Sequence, residues 1–414
     1  MPQDNVIDIA DLKIVISFVD KDYSRYTLFI PLFKFSQSIL KLEDKYSRYL
    51  KLKYQSRSYP VPKMANLVTS LICCGIDRFI RLDDEFMSER GLAKSLGFRG
   101  KFPTSRTIYR FFHNFTGYNV NQLERVNLEM LKEQKEQWYP QTGSVFIDLD
   151  MCTKSVEGKK IEQATLGYNR KSPGRLCLNW TVGHIAKVAL FSQLHSGKTS
   201  GRTVLKQQVS RIEKLIERLE LEPRAKISDK SSGGNGNSRF VWRVDGGYFS
   251  WNNLAFLNQR RFITRLPVNL KVLRPLLTKA SPRKDRAGAL KWRAYAGSSE
   301  YCDLGLINFP EVIGGKGKEG TNFRVVLIHL SRKKKGKRIK VYYPICTNLF
   351  DWKARSIVKA YRGRQIVENC FRDTNQAFYS NKLPSSAFHG NQAFLYFICI
   401  AYNLFFFFQK MGSR

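Results

Sequence analysis

The alternation of β-rich and helical segments between residues 144 and 269 constrains the fold most. The run SVFIDLDM at 144–151 predicts a strand, and LCLNWTVGHIAKVALFSQL at 176–194 predicts another strand. GRTVLKQQVSRIEKLIERLEL at 201–221 has the spacing of an amphipathic helix, and FVWRVDGGYF at 240–249 indicates another strand that ends in an acid and two glycines. Strands that alternate with helices predict an α/β layer structure, in which ligand chemistry gathers at strand ends.

The segments on either side of this core have different patterns. Helical periodicity dominates up to about Gln137, whereas FRVVLIHLSRKKKGKRIKVYYPI at 323–345 is typical of a β-hairpin around a basic turn. We therefore predict an α/β protein with four segments along the chain. They are a mostly helical domain at 1–137, the first part of the core at 138–269, a β-rich insertion at 270–348 and the last part of the core at 349–414.

The chain is strongly basic. It has 70 Lys and Arg against 34 Asp and Glu, which gives a formal net charge of +36 and a pI near 10.0. Such a charge indicates a polyanion as partner, because each phosphate that is neutralised releases counterions. Nucleic acid is the partner that we expect, and a ribosome-associated protein or a membrane-surface protein is the alternative.

Other sequence features limit the class of protein. The eight cysteines form no CxxC pair, so neither a disulfide framework nor a zinc site is indicated. The N-terminal sequence lacks the pattern of a secretory signal, and the apolar stretch Ala393–Phe408 is short for a bilayer span. We therefore expect a cytoplasmic protein with no membrane contact, in which that stretch is a buried helix.

Three acids stand in segments that would bring them to one place. Asp150 lies on the first predicted strand, Asp245 ends a later one, and Glu368 lies on a predicted helix. In a chain with this excess of positive charge, clustered acids need a reason, and the general one is a divalent cation held by oxygen ligands. Asp148 lies two residues before Asp150, so both side chains point to the same face of the strand.

The segment 351–378 carries the third acid and predicts one amphipathic helix. At about 100° per residue, its polar residues fall in an arc of about 80° and its apolar residues fill the opposite side. The polar arc contains Tyr361, Arg364, Glu368, Arg372 and Asn375. The alternative is an ordinary surface helix with Arg/Glu pairs at helical spacing.

A second helix, FPTSRTIYRFFHNF at 102–115, lies within the helical domain. Its apolar residues occupy one side, and Arg106, Arg110 and His113 are available on another. Such a helix could lie in a DNA groove, which would make residues 1–137 a DNA-binding domain. An ordinary amphipathic helix with a solvated basic face is an equal alternative.

Five motifs occur in an order that resembles a known family. They are IDLDMCTKSVEG, GYNRKSPGR, RVDGGYF, YRGRQIVEN and LPSSAFHGNQAFLYFICIAYNLF. Together they resemble bacterial insertion-sequence transposases of the DDE type that have a Tyr-x2-Arg-x3-Glu-x6-Lys signature, over roughly Pro103 to Phe408. The resemblance implies an RNase H-like catalytic core with a β-rich insertion between the second and third catalytic acids.

By position, the resemblance implies that Asp150, Asp245 and Glu368 are the catalytic, metal-binding acids. Asp148 is the rival for the first place, because Met and Cys follow Asp150 where the family has a small hydroxylated residue. Tyr361 and Arg364 match the Tyr and Arg of the signature. The signature lysine would fall at Asn375, which can donate a hydrogen bond but carries no charge, and Lys382 or Arg372 could compensate.

Two further segments are candidates for DNA contact. The GYNRKSPGR loop, which could hold the DNA backbone, carries Tyr168, Asn169, Arg170, Lys171 and Arg175. The hairpin tip carries Lys333, Lys334 and Lys335, which are either a backbone contact or a solvated turn. Tyr248 and Trp251, just after the second acid, either stack on an unpaired base or pack in the core.

The implied chemistry is metal-dependent phosphoryl transfer on DNA. Two Mg²⁺ ions, with Mn²⁺ as a substitute, would activate a water or a DNA 3′-hydroxyl and stabilise the leaving oxygen. We expect nicking at the terminal inverted repeats, then attack of the freed 3′-hydroxyl on the opposite strand and later on target DNA, by a bacterial, nucleoid-associated homodimer. The alternatives are a metal-dependent nuclease without strand transfer and a captured transposase that only binds DNA.

Overall fold

The fold is described from a computed structural model of the chain. The structure describes residues 5–9, 12–16, 26, 29–54, 56, 58–86, 89–99, 101–158, 160–169, 172–221, 238–279, 291–297, 299–313, 320–334 and 337–411. The strands are β1 (Asn5–Ile9), β2 (Leu12–Ile16), β3 (Val145–Ser155), β4 (Thr165–Leu166), β5 (Leu176–Ile185), β6 (Val188–Ser196), β7 (Phe240–Val244), β8 (Phe262–Arg265), β9 (Arg293–Ala296), β10 (Ser299–Ile313), β11 (Gly320–Lys334) and β12 (Lys337–Thr347).

In the described residues, the helices lie before β3, between β6 and β9, and after β12. They are α1 (Ile30–Lys34), α2 (Leu42–Tyr49), α3 (Val61–Cys73), α4 (Arg90–Ser95), α5 (Ser105–His113), α6 (Gly117–Glu133), α7 (Lys135–Trp138), α8 (Gly201–Arg218), α9 (Trp251–Leu257), α10 (Arg274–Lys279), α11 (Ala354–Arg362), α12 (Gln365–Gln376) and α13 (Phe388–Met411). A π-helical turn lies at Phe35–Ile39, and 3-10 turns lie at Phe79–Leu82, Gly246–Tyr248 and Lys271–Leu273.

Contacts group the chain into two compact units. Unit 1 contains Met1–Tyr139, Met151–Lys198 and Asn369–Arg414, and unit 2 contains Pro140–Asp150 and Thr199–Glu368. Strand β3 and helix α12 therefore each contribute residues to both units. The predicted segment limits at 137, 269 and 348 divide the chain into consecutive segments, whereas each unit combines separate segments. Those limits remain a prediction.

Helix α13 forms much of the core of unit 1. A helix that is apolar on all sides must be buried, and α13 packs against α3, α5, α6 and β6. The ring centroid of Phe112 on α5 lies 5.8 Å from that of Phe394 and 6.1 Å from that of Phe397. By length and composition α13 could cross a membrane, but 72% of its most apolar stretch is buried inside the protein. The prediction of a buried helix is confirmed.

A polar contact fixes α13 in this apolar setting. The carboxamide nitrogen of Asn403 donates to Oδ1 of Asn127 at 2.9 Å and to the carbonyl oxygen of Ala189 at 2.8 Å. In return, the backbone N–H of Ala189 donates to Oδ1 of Asn403 at 2.8 Å. Because buried amides must be hydrogen-bonded, this network sets the position of α13 against α6 and β6.

Helix α5 has the two-sided character that its sequence predicts. Asp83 accepts hydrogen bonds from the first turn of α5. The carboxylate of Asp83 accepts from the backbone N–H of Ser105 at 2.7 Å and from the hydroxyl of Ser105 at 2.5 Å. Ile108, Phe111 and Phe112 are buried. The basic side, with Arg106, Arg110 and His113, is exposed.

Unit 2 is built on a mixed sheet. The first half of β3 pairs in parallel with β7, and β7 pairs in parallel with β8. β12 runs antiparallel to β8, and β11, β10 and β9 extend the sheet in antiparallel order. The described chain is therefore a mixed α/β protein, as predicted at that level. The predicted basic hairpin is present as β11 and β12, in which Lys334 lies opposite Lys337.

The prediction of one continuous helix through 351–378 is wrong, because the chain forms α11 and α12 with a turn at Gly363 and Arg364. In an unbroken helix the carbonyl of Ala360 would accept from the backbone N–H of Arg364. Here Nη1 of Arg243 donates to that carbonyl at 2.5 Å, and the N–H of Arg364 donates to the carbonyl of Tyr361 at 3.0 Å. The break therefore has a tertiary cause in addition to the low helix propensity of glycine.

Candidate active site

Asp150 lies on β3 at a point where the strand leaves the core. Ile147 and Leu149 are fully buried, whereas the side chain of Asp150 is partly exposed. Nη1 of Arg364 donates to Oδ2 of Asp150 at 2.9 Å. Alternation along the strand thus buries the apolar neighbours and directs this carboxylate towards a cation.

Asp245 and Glu368 approach the same cation from two other elements. Asp245 follows the last residue of β7 and precedes the 3-10 turn at Gly246–Tyr248, and its Oδ1 lies 4.0 Å from Nη2 of Arg364. Glu368 is in the first turn of α12, where the helix dipole favours a negative charge. Its Oε1 accepts from Nη2 of Arg364 at 2.8 Å. The three predicted acids therefore converge on one guanidinium.

Arg364 is the centre of this arrangement. Its side chain is only 7% exposed, so its charge requires neighbouring acids. Burial by itself lowers the pKa of Arg364, but the carboxylates of Asp150 and Asp245 and the phenol of Tyr361 outweigh it and raise that pKa above the ordinary value. The guanidinium is therefore a permanent positive charge among the three acids.

Asp148 has a different environment from Asp150. It is completely buried, and its carboxylate accepts two hydrogen bonds from Arg243, at 2.8 Å from Nε and 2.5 Å from Nη2. Asp148 and Arg243 face each other in the register of β3 and β7, and the guanidinium lies 4.2 Å from the ring centroid of Phe146. Burial raises the pKa of Asp148, and Arg243 opposes that shift. Both oxygens of Asp148 are thus engaged in a buried ion pair.

The donor set can be compared with the needs of a metal ion. Carboxylate oxygens are the hard ligands that Mg²⁺ prefers. In the described part of the chain, no group of three or more His, Cys, Asp or Glu side chains is gathered closely enough to hold a metal ion. Asp150, Asp245 and Glu368 converge on the Arg364 guanidinium instead, so they fit a cation in charge and donor type. Joint ligation of a metal would require the Arg364 side chain to move.

The sequence matches a known family over most of its length. The sequence model of a family described as transposase DDE domain, group 1, matches residues 32–414. The chain belongs to this family. Membership implies an enzyme of the nuclease and transposase class that acts on DNA, and DDE transposases generally use divalent metals. No curated protein matches the chain.

Asn375, at the position where the resemblance would place the signature lysine, stands near the end of α12. Its Oδ1 accepts from the ammonium of Lys154 at 2.7 Å, and Oγ of Ser380 accepts from the same ammonium at 2.6 Å. Lys154 is 2% exposed and lies 4.6 Å from the ring centroid of Trp180. A lysine from β3 therefore places a positive charge beside Asn375 within unit 1.

The other side chains predicted near the third acid are placed as follows. Tyr361, on α11, is largely buried, and burial raises its pKa above the ordinary value although the Arg364 guanidinium opposes the shift. Its phenol therefore stays protonated at neutral pH. Arg372 is exposed and lies 3.6 Å from Oδ1 of Asp373. Lys382 lines a cavity of about 580 Å³ in unit 1 whose wall also includes Lys154 and Asn375.

The GYNRKSPGR loop is partly described. Tyr168 is 76% exposed, whereas Asn169 is buried, donates to Oγ of Ser155 at 2.8 Å and accepts from the backbone N–H of Ser172 at 3.1 Å. Arg175 is exposed and lies 3.9 Å from Glu157. Arg170 and Lys171 lie outside the described residues. Asn169 thus ties the loop to Ser155, and Tyr168 and Arg175 lie on the surface.

The remaining predicted DNA contacts lie on α5 and the basic hairpin. Arg106 and Arg110 are exposed on α5. Lys333 and Lys334 lie at the end of β11, and Lys335 lies outside the described residues. Tyr248 is buried, and the ring of Trp251 packs near those of Phe249 and Phe309, which favours core packing for both residues.

Sequence reasoning missed Arg243 and Lys154. Arg243 is a single charge within FVWRV, a strand that is buried at every position, and Asp148 is a single buried acid on the neighbouring strand. A lone charge in each of two buried parallel strands is a signal for an ion pair, since buried charges must be paired. Lys154 gave no comparable signal, because its partners lie more than 200 residues away in sequence.

Proposed function

We propose that this protein is the transposase of an insertion sequence, which cleaves DNA at the terminal inverted repeats of its element and joins the freed 3′-hydroxyl ends to target DNA. The observation that carries the proposal is the convergence of Asp150, Asp245 and Glu368 on the Arg364 guanidinium. These acids come from a strand, a strand end and a helix that are far apart in sequence. Family membership supports DNA as the substrate.

We infer further that the catalytic core is RNase H-like. The end of β3 neighbours β5, which pairs with β6 in an antiparallel hairpin, and α8 then leads to the parallel strands β7 and β8. The three acids lie on the first strand of this series, at the end of β7 and on α12. Strands β9 to β12 lie between the second and third acids in the chain, which supports a β-rich insertion there.

The carboxylates have a defined part in the proposed reaction. Asp150, Asp245 and Glu368 would hold Mg²⁺ or Mn²⁺, which when bound activates the attacking hydroxyl and stabilises the leaving oxygen. Asp148 would not take part as a ligand, because Arg243 occupies both of its oxygens. Its ion pair instead keeps β3 and β7 in the register that brings Asp150 and Asp245 to the same edge of the sheet.

The chemistry needs two exchanges of phosphodiester bonds. In the first, a water oxygen attacks phosphorus at the transposon end, the bond from phosphorus to the 3′ oxygen breaks, and a 3′-hydroxyl is released. In the second, a 3′-hydroxyl attacks phosphorus of the recipient strand, so one bond forms as another breaks. Arg364 would position the reacting phosphate, because its guanidinium matches phosphate oxygens in a fork of two hydrogen bonds, and the buried phenol of Tyr361 supports it.

We propose that basic residues outside the acidic site hold the DNA backbone. The proposed contacts are Tyr168, Asn169, Arg170, Lys171, Arg175, Arg372, Asn375, Arg106, Arg110, Lys333, Lys334 and Lys335. Lys154 would supply the positive charge that Asn375 lacks, since its ammonium is hydrogen-bonded to that residue. One active site for each DNA end implies two protomers for two ends, so we also propose a homodimer on DNA in the bacterial cytoplasm.

An end-cleavage and joining assay tests this function. Purified protein would be incubated with a labelled duplex that ends in the inverted repeat of its own element and with a target plasmid, in Mg²⁺ or EDTA. We expect metal-dependent cleavage and joining, and loss of both in Glu368→Gln. Glu217→Gln, which changes an exposed glutamate on α8 in the same way, is the matched control and should retain activity.

Each other outcome of the assay would indicate a different function or a wrong assignment of the third acid. Cleavage without joined product would indicate a metal-dependent nuclease. Binding of the duplex with neither cleavage nor joining would indicate a DNA-binding protein whose acids no longer act. Equal activity in Glu368→Gln and the parent protein would refute the assignment of the third acid.

A further inference from the structure

One guanidinium is the shared neighbour of three carboxylates in unit 2. Arg364 donates to Asp150 at 2.9 Å and to Glu368 at 2.8 Å, and it lies 4.0 Å from Asp245. These acids are the residues to which the proposed function gives the divalent metal. An arginine guanidinium cannot lose its proton in a protein, so this positive charge is always present.

The guanidinium and a divalent metal would compete for the same oxygens. Asp150 Oδ2 and Glu368 Oε1 each already accept a hydrogen bond from Arg364, and the positive charge of the guanidinium would repel a metal cation at that place. Without a cation between them, the three carboxylates would repel one another, and Arg265, 4.0 Å from Asp245, reaches that acid alone of the three. In the free protein, Arg364 therefore offsets part of the negative charge of the acidic site and resists the entry of a metal.

The position of Arg364 in the chain allows its side chain to leave. The residue lies in the turn between α11 and α12, outside both helices. The carboxylate of Glu368 is 61% exposed, so the guanidinium stands near one open side. A DNA phosphate there offers two oxygens with the spacing that a guanidinium prefers, and charge-assisted bonds of that type are among the strongest hydrogen bonds.

We propose that Arg364 couples DNA binding to metal binding: it acts as an internal cation that holds Asp150, Asp245 and Glu368 until a DNA phosphate draws it away. This inference rests on the proposed function, because it takes DNA and a divalent metal as the two ligands. Coupling of this kind is reciprocal, so DNA raises the affinity for metal by the same factor by which metal raises the affinity for DNA. Without DNA, the site takes up metal poorly, which protects the cell from undirected cleavage.

The test measures metal affinity rather than activity. Mn²⁺ binding to the full chain would be followed by the electron paramagnetic resonance signal of free Mn²⁺, with and without a pre-cleaved duplex from the element end. No target DNA is present, so no bond is broken. In the parent protein, we expect the duplex to raise Mn²⁺ affinity by about 5-fold to 150-fold, the usual range for coupled sites.

Two variants separate the internal cation from a structural role. Arg364→Gln keeps a hydrogen-bonding group but removes the charge, so it should bind Mn²⁺ more tightly than the parent protein without DNA and gain less on DNA addition. Arg364→Lys keeps the charge and should keep the weak binding without DNA. Arg274→Gln removes an exposed charge from α10 and is the control for net charge. The melting temperature of each variant would show that it is folded.

The outcomes distinguish this inference from the proposed function. If folded Arg364→Gln binds Mn²⁺ no more tightly than the parent protein without DNA, the internal cation is refuted. Equal Mn²⁺ affinity of the parent protein with and without DNA would refute the coupling even if Arg364→Gln does not fold. Mn²⁺ binding that is unaffected by Asp150→Asn and Glu368→Gln, together with absence of cleavage, would refute the proposed function itself.

Discussion

At the scale of single residues, two aspartates on one face of β3 have different surroundings. Asp148 is enclosed with Arg243, whereas Asp150 is partly exposed and meets Arg364. Strand periodicity places both on the same side, but it carries no information about which cation each one meets. The distinction arises from the register of β3 and β7, in which Asp148 lies opposite Arg243.

Substitution of Asp148 should mainly lower stability, whereas substitution of Asp150 should mainly lower DNA cleavage. Asp148→Asn leaves the buried Arg243 without its charge partner, so we expect the free energy of unfolding to fall by about 3–5 kcal/mol. Asp150→Asn should cost less stability, because Arg364 keeps Glu368 as a partner. It should reduce DNA cleavage by about 100-fold or more, because it removes a preorganised charge from the reacting centre. Urea denaturation and the end-cleavage assay measure the two effects.

A more exposed ion pair provides the control for this comparison. Asp303 accepts from Nη2 of Arg324 at 2.6 Å, and its side chain is 36% exposed. Asp303→Asn should therefore cost only about 0–1 kcal/mol. A stable Asp148→Asn variant that binds no Mn²⁺ would instead assign the first metal ligand to Asp148.

The role of Lys154 in DNA binding can be tested by moving its positive charge to position 375. If Lys154 supplies a phosphate contact, Lys154→Gln should weaken DNA binding and reduce the slope of log affinity against log salt by about 1. Addition of Asn375→Lys should restore both, because the charge returns to the neighbouring position. Lys187→Gln, at an exposed lysine between β5 and β6, is the matched control. A lower melting temperature with an unchanged salt slope would show that Lys154 only stabilises unit 1.

These residues also show where sequence reasoning ends. The three acids could be found because each stands in a local pattern that is visible in a few residues, such as the strand before Asp245. Arg364 could be placed on the polar arc with Glu368, but its contact with Asp150 joins segments more than 200 residues apart. Contacts of that kind depend on strand register and helix ends, which local periodicity does not determine.

At the scale of elements, the break between α11 and α12 is the main departure from the sequence prediction. The periodicity of 351–378 correctly indicated an apolar side with buried Val367 and Cys370. It could not indicate that Arg243, on β7, takes the carbonyl of Ala360. The single strand predicted over 176–194 is wrong, because β5 and β6 form a hairpin with a turn at Ala186 and Lys187. The other strand and hairpin predictions agree because alternating and β-branched residues there match the pleat of the sheet.

Glycine substitutions can test the cause of this break. A Cβ at position 363 would lie 2.5 Å from Nη1 of Arg243 and 3.1 Å from the carbonyl oxygen of Ala360. We expect Gly363→Ala to lower the free energy of unfolding by about 1–3 kcal/mol through this overpacking. The reduced stability would be measured by urea denaturation.

Gly91 is the matched control for Gly363. It lies within α4, and a Cβ there would meet no atom within 4 Å. Gly91→Ala should therefore raise stability by about 0.5–1 kcal/mol, since alanine is the better helix former. Equal effects at both glycines would show that Arg243 does not enforce the turn.

At the scale of the whole molecule, the charge of +36 predicts strong dependence of DNA binding on salt. If α5 contacts the DNA backbone, Arg106→Ala with Arg110→Ala should reduce the slope of log affinity against log salt by about 0.9 for each arginine. Filter binding at salt concentrations from about 50 to about 200 mM would measure this slope. Arg218→Ala, an exposed arginine on α8, is the control.

An unchanged slope in the α5 variant would favour the other interpretation of that helix. Its exposed arginines would then belong to a solvated face, and the DNA contacts would lie elsewhere on the basic surface. Composition could predict the polyanion partner, because net charge acts over the whole molecule. It could not locate the surface that meets the DNA, since 70 basic residues are spread along the chain.

Helix α13 has a consequence for the life of the newly made chain. Helices α3, α5 and α6 leave the ribosome first, yet the helix that fills the space between them follows as much as ~300 residues later, a delay of roughly 15–60 s at about 5–20 residues per second. During that interval, the phenylalanines of α5 lack their ring contacts with Phe394 and Phe397 on α13 and are a target for chaperones. A chain that stops before Phe388 would therefore leave part of the unit 1 core exposed and be a substrate for proteolysis.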